Sequence, residues 1–107
     1  MVAPRRFDVF LVPLDPARDS EMQKTRPCVI VSPDVSNRVL RTVVIVPLTS
    51  KPQGFPGRVL LAFQNRQGEF ATDRLRVVDK SRLIRKIGAV QAADRARITA
   101  ALTEFFA

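Results

Sequence analysis

The sequence of 107 residues contains no histidine, no tryptophan and no tyrosine, and it has a single cysteine. Without histidine, hydrolases that use a Ser-His-Asp triad or a Cys-His pair are excluded. A zinc site is not expected either, because cysteine and histidine are the usual zinc ligands. Acid–base chemistry must therefore use carboxylates, hydroxyls, arginine, lysine or the substrate itself. We expect no cofactor and no metal.

Two further absences bear on the cellular compartment. The lone Cys28 cannot form an internal disulfide, which fits a reducing environment. No apolar run approaches the ~20 residues of a membrane span. Asp8 and Pro13 interrupt the first apolar stretch, so we expect neither a signal peptide nor a membrane anchor. The default expectation is a cytoplasmic protein.

Positive charge is what the sequence has in excess. Eighteen lysines and arginines oppose ten acidic residues, which gives a net charge of +8. Such a balance favours a polyanionic partner, which could be nucleic acid, an acidic protein or an anionic membrane surface, although a merely charged surface remains an alternative. Arginine dominates, and its planar fork grips phosphate through two bonds. The length and the 46% apolar content predict one globular domain over residues 1–107.

The order of the elements predicts a mostly β (α+β) fold. Short β-branched runs bounded by turn residues indicate strands, and Ile98, Leu102 and Phe105 form the apolar stripe of an amphipathic C-terminal helix. We therefore expect a small antiparallel barrel closed by that helix. The predicted elements are strands at 7–14, 27–31, 42–47, 58–62, 69–78 and 84–90, irregular connections at 15–25, 32–37 and 50–57, a turn at 65–68, a helical turn at 79–83 and a helix at 91–106.

Four segments, taken in order, carry a resemblance to a known family. They are Phe7–Val12 with Leu14-Asp15-Pro16 and Ser20-Glu21; Arg26–Pro33; Val44–Ser50; and, more weakly, Asp73–Leu83. Together they resemble the MazF/PemK toxins over nearly the whole chain. Three positions depart from the usual pattern, because Phe7 and Asp19 stand where the family has glycine and Arg74 stands where it has glutamine.

The resemblance implies an SH3-like barrel that forms a homodimer, with single-stranded RNA bound in a groove near the dimer interface. It implies metal-independent RNA cleavage at a short sequence, and inhibition by an antitoxin with an acidic tail, which suits the charge of +8. The family's catalytic arginine and threonine match Arg26 and Thr49, and its Ser-Glu pair matches Ser20 and Glu21.

These residue types fit the chemistry of RNA cleavage. RNA carries its own nucleophile, the 2′-hydroxyl, so the enzyme must align it and stabilise the gathering negative charge. Arg26 can bridge two phosphate oxygens, unless it only pairs with Asp15 or Glu21. The Thr49 hydroxyl can donate to a phosphate oxygen. Glu21 could accept the 2′-hydroxyl proton or could only orient Arg26.

Other residues are candidates for RNA contact or for the core. Phe55 either stacks on a base or acts as a packing lid. Cys28, Ile98, Leu102 and Phe105 are interpreted as core. The candidates for RNA backbone contact, each of which could also be a solvated surface group, are Arg18, Ser20, Lys24, Ser50, Lys51, Arg74 and Arg76.

Two rival functions are compatible with the fold and the charge. The first is a binding toxin directed at gyrase. In those toxins a C-terminal tail with tryptophan makes the contact, whereas this chain has no tryptophan and ends Glu104-Phe105-Phe106-Ala107. The second is a non-catalytic RNA-binding module, which charge alone would support. The missing tryptophan argues against the first, and the matched Arg26 and Thr49 favour catalysis over the second.

Overall fold

The computed structural model describes residues 3–14 and 25–107. It consists of antiparallel strands that form a half-barrel, with one long helix at the C-terminus. The elements are β1 (Asp8–Pro13), β2 (Thr25–Ile30), α1 (Asp34–Val39), β3 (Thr42–Thr49), β4 (Val59–Phe63), β5 (Arg66–Phe70), a 3-10 helix (Thr72–Arg74), β6 (Arg76–Asp79), a second 3-10 helix (Lys80–Arg82), β7 (Arg85–Ala89) and α2 (Ala92–Phe105).

Strand β3 connects the two halves of the sheet. The strands follow the order β4-β5-β3-β2-β1-β7, and β6 pairs with β3 outside this path. The first half of β3 pairs with β6, whereas Leu48 and Thr49 at its end pair with Phe70 and Glu69 of β5. The predicted antiparallel barrel with a C-terminal helix is therefore confirmed.

Both faces of the central strands are buried. One face carries the cluster that packs against α2, and its members include Val29, Val46, Phe70 and Ile98. The opposite face carries a second cluster of Val12, Cys28, Ile30, Val43, Ile45 and Val78. Strands buried on both faces have continuous apolar runs and not alternation. This explains why 28–31 and 43–48 are apolar throughout.

The structure corrects three expectations about local conformation. Helix α1 begins within the connection predicted at 32–37, where the Asn37 amide is buried and bonds to both the backbone and the side chain of Ser32. The turn predicted at 65–68 is a two-residue turn at Gln64 and Asn65, both with positive φ, because Phe63 already pairs with Arg66. The strand predicted at 69–78 is broken by the 3-10 helix, where the Thr72 hydroxyl donates to the carbonyl of Gly57 at 2.7 Å.

The C-terminal helix contributes less to the core than its stripe suggested. Ile98 is fully buried, and Leu102 packs partly against the first cluster. Phe105 was expected in the core, but its side chain is 46% exposed and contacts Phe106 edge to face, with ring centroids 5.2 Å apart. The prediction for Phe105 was wrong, because the last helical turn presents its ring to the neighbouring phenylalanine and not to the sheet. None of the helices in the described ranges is long and apolar enough to span a membrane.

Phe7 occupies a backbone conformation that favours glycine. Its φ is +76°, in the left-handed region, where a side chain costs roughly 1–2 kcal/mol. The conformation is held because the Phe7 amide donates to Ile30 and its carbonyl accepts from Val90. The ring packs partly against the first cluster and lies 5.4 Å and 5.2 Å from the guanidinium carbons of Arg6 and Arg95. Ring packing therefore offsets the backbone strain.

We expect Phe7→Gly to be more stable than Phe7→Ala by about 1 kcal/mol, because both lose the ring and only glycine relieves the strain. Urea unfolding at matched protomer concentration measures the difference. Phe10 of β1, which has a negative φ, provides the control pair, and there the alanine variant should be the more stable one. The same order of stability at both positions would contradict this account of Phe7.

Candidate functional site

The arginine and the threonine singled out from the sequence lie on adjacent strands. Cys28, Val29 and Ile30 of β2 pair with Pro47, Val46 and Ile45 of β3. Continuing this register by two residues places Arg26 opposite Thr49. Directly opposed residues of antiparallel strands share a face, with Cβ atoms ~4.5–5.5 Å apart. The ends of β2 and β3 therefore bring these two side chains together.

Arg26 and Thr49 both line a depression of about 290 Å³. This volume is near the lower end of the ~300–1,000 Å³ usual for ligand pockets. The depression has two arginines and, in the part of the chain that the structure describes, no carboxylate in its lining. Its character is therefore basic, which suits a phosphate. The lining residues are Thr25, Arg26, Pro27, Leu48, Thr49, Ser50, Phe63, Gln64, Arg66, Gln67 and Gly68.

The hydroxyl of Thr49 differs from the other buried polar groups around the depression. Its Oγ1 is buried and makes no hydrogen bond to any group of residues 3–14 and 25–107. A buried hydroxyl without a partner costs about 1–3 kcal/mol, so such groups point to a function. A phosphate oxygen placed in the depression could accept this hydrogen bond.

Arg26 is half-buried on β2, and its guanidinium has no ion pair with a carboxylate within the described ranges. The alternative partners Asp15 and Glu21 lie outside those ranges. Its carbonyl accepts a weak bond from the Cys28 thiol, at 3.5 Å. Cys28 is fully buried, which confirms its interpretation as core, and burial raises the pKa of its thiol to about 12.

An ion network lies under the loop that follows Thr49. Arg58 donates to Glu69 at 2.8 Å and, through two nitrogens, to Asp73 at 2.7 and 3.0 Å. The Arg58 and Glu69 side chains are only 3% and 2% exposed. The hydrogen bonds from Arg58 hold the pKa values of Glu69 and Asp73 below their ordinary range, and the carboxylates, Asp73 above all, raise the pKa of Arg58. All three groups are therefore charged at neutral pH.

Of the other residues predicted to contact RNA, only some lie at or near the depression. Ser50 lines the depression, while Lys51 and Phe55 are exposed in the next loop. Arg74 is exposed on the first 3-10 helix and does not line the depression, and Arg76 donates to the Leu14 carbonyl at 2.8 Å. Arg18, Ser20, Glu21 and Lys24 lie outside the described residues.

Arg66 and Gln67 line the depression but were missed from the sequence. They were assigned to a turn because Asn65 and Gly68 bracket them. In the structure they begin β5, and the hairpin folds them back beside the end of β3. A hairpin placed at Gln64–Asn65 would have identified them, but glutamine rarely adopts positive φ and gave no signal.

Comparison with known proteins places the chain in a family. Residues 5–106 match the PemK-like, MazF-like toxins of type II toxin–antitoxin systems. The chain belongs to this family. It is 37% identical to the endoribonuclease MazF9 of Mycobacterium tuberculosis over 92% of each chain. It is 32% identical to the endoribonuclease toxin MazF of Escherichia coli K12 over 70% of this chain and 68% of that one.

Solved structures of other proteins share the fold. A mycobacterial endoribonuclease in complex with its cognate antitoxin matches with a TM-score of 0.82 at 27% identity, covering 97% of this chain and 95% of that one. The MazE–MazF complex of Deinococcus radiodurans matches with a TM-score of 0.84 at 23% identity, covering 99% of this chain and 97% of that one. The second likeness shows the fold alone.

The ion network predicts a pH dependence of stability. The folded-state pKa values of Glu69 and Asp73 are lowered, so their contribution to stability is present above the ordinary pKa values, 4.5 and 3.8, and is lost as the pH falls below them. We expect Asp73→Asn to lower the Tm at pH 7, and the difference from the wild type to shrink as the pH falls below 3.8. Thermal unfolding between pH 3 and 7 measures this convergence.

The control is Asp94→Asn, which removes a carboxylate from the Asp94–Arg97 pair on α2. Its Tm should follow the wild-type curve closely. If the Asp73→Asn curve instead runs parallel to the wild-type curve at every pH, the carboxylate does not act through its charge.

Proposed function

We propose that this MazF/PemK-family toxin is a sequence-selective, metal-independent endoribonuclease that cleaves single-stranded RNA. The observation that carries the proposal is the meeting of Arg26 and Thr49 in one basic depression. Family membership adds support, because the relatives described above are named endoribonucleases. Metal independence is part of the proposal because the RNA supplies its own nucleophile and the described lining of the depression has no carboxylate to hold a divalent cation.

The proposed reaction uses the 2′-hydroxyl of the RNA as nucleophile. Its oxygen attacks the adjacent phosphorus, the bond to the 5′-oxygen breaks, and the products end in a 2′,3′-cyclic phosphate and a 5′-hydroxyl. The proton of the 2′-hydroxyl leaves to a base, and the departing 5′-oxygen receives a proton. The protein needs to align these atoms and to stabilise the charge that gathers on the phosphate oxygens.

Arg26 is proposed to bind two phosphate oxygens through its guanidinium, and the Thr49 hydroxyl to donate to one of them. Because arginine stays protonated at ordinary pH, Arg26 stabilises the transition state and can supply a proton to the leaving oxygen, but it is not the base. Glu21 is proposed to orient Arg26, a role that does not require a raised pKa.

The RNA strand is proposed to contact the groups around this centre. Ser50 and Arg66 line the depression, and Lys51 follows Ser50 in the loop. The remaining candidates are Arg18, Ser20, Lys24 and Arg74, whose charge or hydroxyl groups suit the sugar-phosphate backbone. Phosphate contacts position the strand, whereas contacts with unstacked bases select the sequence.

Cleavage of mRNA would inhibit translation and growth, so the toxin is proposed to be held in check by an acidic antitoxin in the cytoplasm. The net charge of +8 supports such a partner, because complementary charge speeds encounter and aids competition with RNA. A structural relative was solved in complex with its cognate antitoxin.

The first experiment incubates the purified protein with a mixed-sequence RNA in EDTA and maps the ends. We expect cuts at one short motif with 2′,3′-cyclic phosphate ends. Arg26→Ala should lower the cutting rate at least about a hundredfold, because an oxyanion donor contributes ~10²–10³ in rate. Addition of the cognate antitoxin should suppress cutting.

Two controls make this result interpretable. Arg38→Ala removes an equal charge from an exposed position on α1, outside the depression, and should cut like the wild type. Circular dichroism should show that Arg26→Ala is folded. Wild-type rates from a folded Arg26→Ala variant would refute the proposed centre. If the folded wild type does not cut RNA, a gyrase-directed or RNA-binding function is favoured over the ribonuclease function.

We further propose that the protein is a homodimer whose interface includes an apolar depression of about 440 Å³ between α1, β3, β6 and the end of α2. Leu40, Val77 and Phe106 line it and are 52%, 59% and 66% exposed. A chain of 107 residues buries a small share of its surface alone, so a second copy that covers these side chains would add stability.

We expect the wild type to sediment as a dimer and Leu40→Asp to weaken dimerisation at least about tenfold, because it places a charge in an apolar interface. Ile84→Asp is the matched control, since Ile84 is 55% exposed and lies outside this depression. Analytical ultracentrifugation across a concentration series compares the variants. Dimers of equal strength in both variants would show that the interface lies elsewhere.

A further inference from the structure

The carboxylate of Glu69 connects Thr49 to the loop that follows it. Glu69 is the residue of β5 that pairs with Thr49 of β3, so the two side chains share a face. Its Oε2 accepts hydrogen bonds from the backbone amides of Gln53 and Gly54, at 3.1 and 2.9 Å. Its Oε1 accepts from Arg58 at the far end of the loop, at 2.8 Å. One buried carboxylate thus holds both the middle and the end of loop 50–57.

Arg58 extends this connection to a phenylalanine ring. Its guanidinium carbon lies 4.7 Å from the centroid of Phe55, within the range of a cation–π contact. The Phe55 carbonyl also accepts from the Arg58 amide, at 3.2 Å. Asp73 accepts hydrogen bonds from Nε and Nη2 of the guanidinium and keeps its plane in place. The Phe55 ring therefore lies against the Arg58 guanidinium, which the carboxylates of Glu69 and Asp73 hold in place.

Phe55 does not serve the apolar core. It belongs to neither of the two core clusters formed by the described residues, and half of its surface is exposed. One side of the ring meets Arg58, and exposed ring surface remains available. This arrangement disfavours the alternative of a packing lid. It matches the aromatic platforms on which proteins stack the unpaired bases of single-stranded nucleic acid.

Stability alone does not explain the ion network of Arg58, Glu69 and Asp73. Replacing a buried ion pair with apolar residues is often neutral or stabilising, so the buried Arg58–Glu69 pair is weak support for a purely structural role. A triad that fixes a loop beside the candidate site has a different use, because binding costs less when the contact groups are ordered beforehand.

We propose that Phe55 is a base-stacking residue and that Glu69, Arg58 and Asp73 are positioning residues that hold it, together with loop 50–57, next to the scissile phosphate. The ligand is one unpaired base of the RNA substrate, stacked on the exposed side of the ring. This inference rests on the proposed ribonuclease function. It names Phe55 as a residue that contributes to RNA affinity and to sequence preference.

The test is a double-mutant cycle with Phe55→Leu, Glu69→Gln and the combined variant. Leucine keeps apolar bulk but loses the flat ring. Glutamine keeps the shape of Glu69, but its amide nitrogen cannot accept the bonds that a carboxylate oxygen accepts. Asp94→Asn is the control, because it changes the net charge as Glu69→Gln does and lies on α2. The readouts are kcat, KM, the preferred cut site, and the Kd for a non-cleavable 2′-O-methyl oligonucleotide of that site.

We expect Phe55→Leu and Glu69→Gln each to raise KM and Kd about tenfold while kcat stays within about threefold, since a stacked base adds mainly to binding. The combined variant should be no weaker than Phe55→Leu, because Glu69 acts through Phe55. Amide hydrogen exchange at Gln53 and Gly54 should accelerate in Glu69→Gln and not in Asp94→Asn.

Other results would overturn the inference. An unchanged KM in Phe55→Leu rejects base stacking on Phe55. If the losses of affinity from Phe55→Leu and Glu69→Gln add up in the combined variant, Glu69 does not act through Phe55. Its role is then only to stabilise the fold. If the wild type binds the oligonucleotide but never cuts RNA, the ribonuclease function is refuted. The Kd values of the wild type and the three variants then still test whether Phe55 stacks on a base. If it neither cuts nor binds, both proposals fail.

Discussion

The pairing of β3 on both of its edges is the constraint on which the rest of the structure depends. One edge pairs with β2 and the other pairs first with β6 and then with β5. The register with β2 carries Arg26 towards Thr49, and the register with β5 places Glu69 on the other side of Thr49. A slip of one residue on either edge would turn these side chains to the opposite face, into the cluster that packs against α2.

Burial on both faces is what makes this register specific. Val29 and Val46 face the cluster under α2, whereas Cys28 and Ile45 face the second cluster. Any alternative register would bury Arg26 or expose core residues, which costs several kcal/mol. The site therefore owes its geometry to the apolar residues around it. The polar groups of the site are maintained by that packing. They include the Thr49 hydroxyl, which has no hydrogen-bond partner among the described residues, and the buried Arg58–Glu69 pair.

The residues of the site differed in how far the sequence could identify them. Arg26 and Thr49 stand within local motifs, Arg26-Pro27 and Pro47-Leu48-Thr49-Ser50, so pattern alone singled them out. Arg66 and Gln67 carry no such pattern and join the depression only because the hairpin turns at Gln64–Asn65. Arg58, Glu69 and Asp73 are spread over three elements, and ordinary surface charge was the natural interpretation of each. Their triad exists only after the loop and the sheet have folded.

The amino-acid sequence by itself determined the class of the protein: the basic charge, the lack of histidine, the order of short apolar strands and the closing helix. These are sums and local periodicities, which do not require knowledge of distant contacts. Tertiary structure decided that Phe105 leaves the core, that Phe7 tolerates a left-handed backbone, and that Glu69 binds Arg58 and a loop 15 residues away. The outcomes for Phe7 and Glu69 depend on hydrogen bonds between residues far apart in the chain, and local preference carries no information about them.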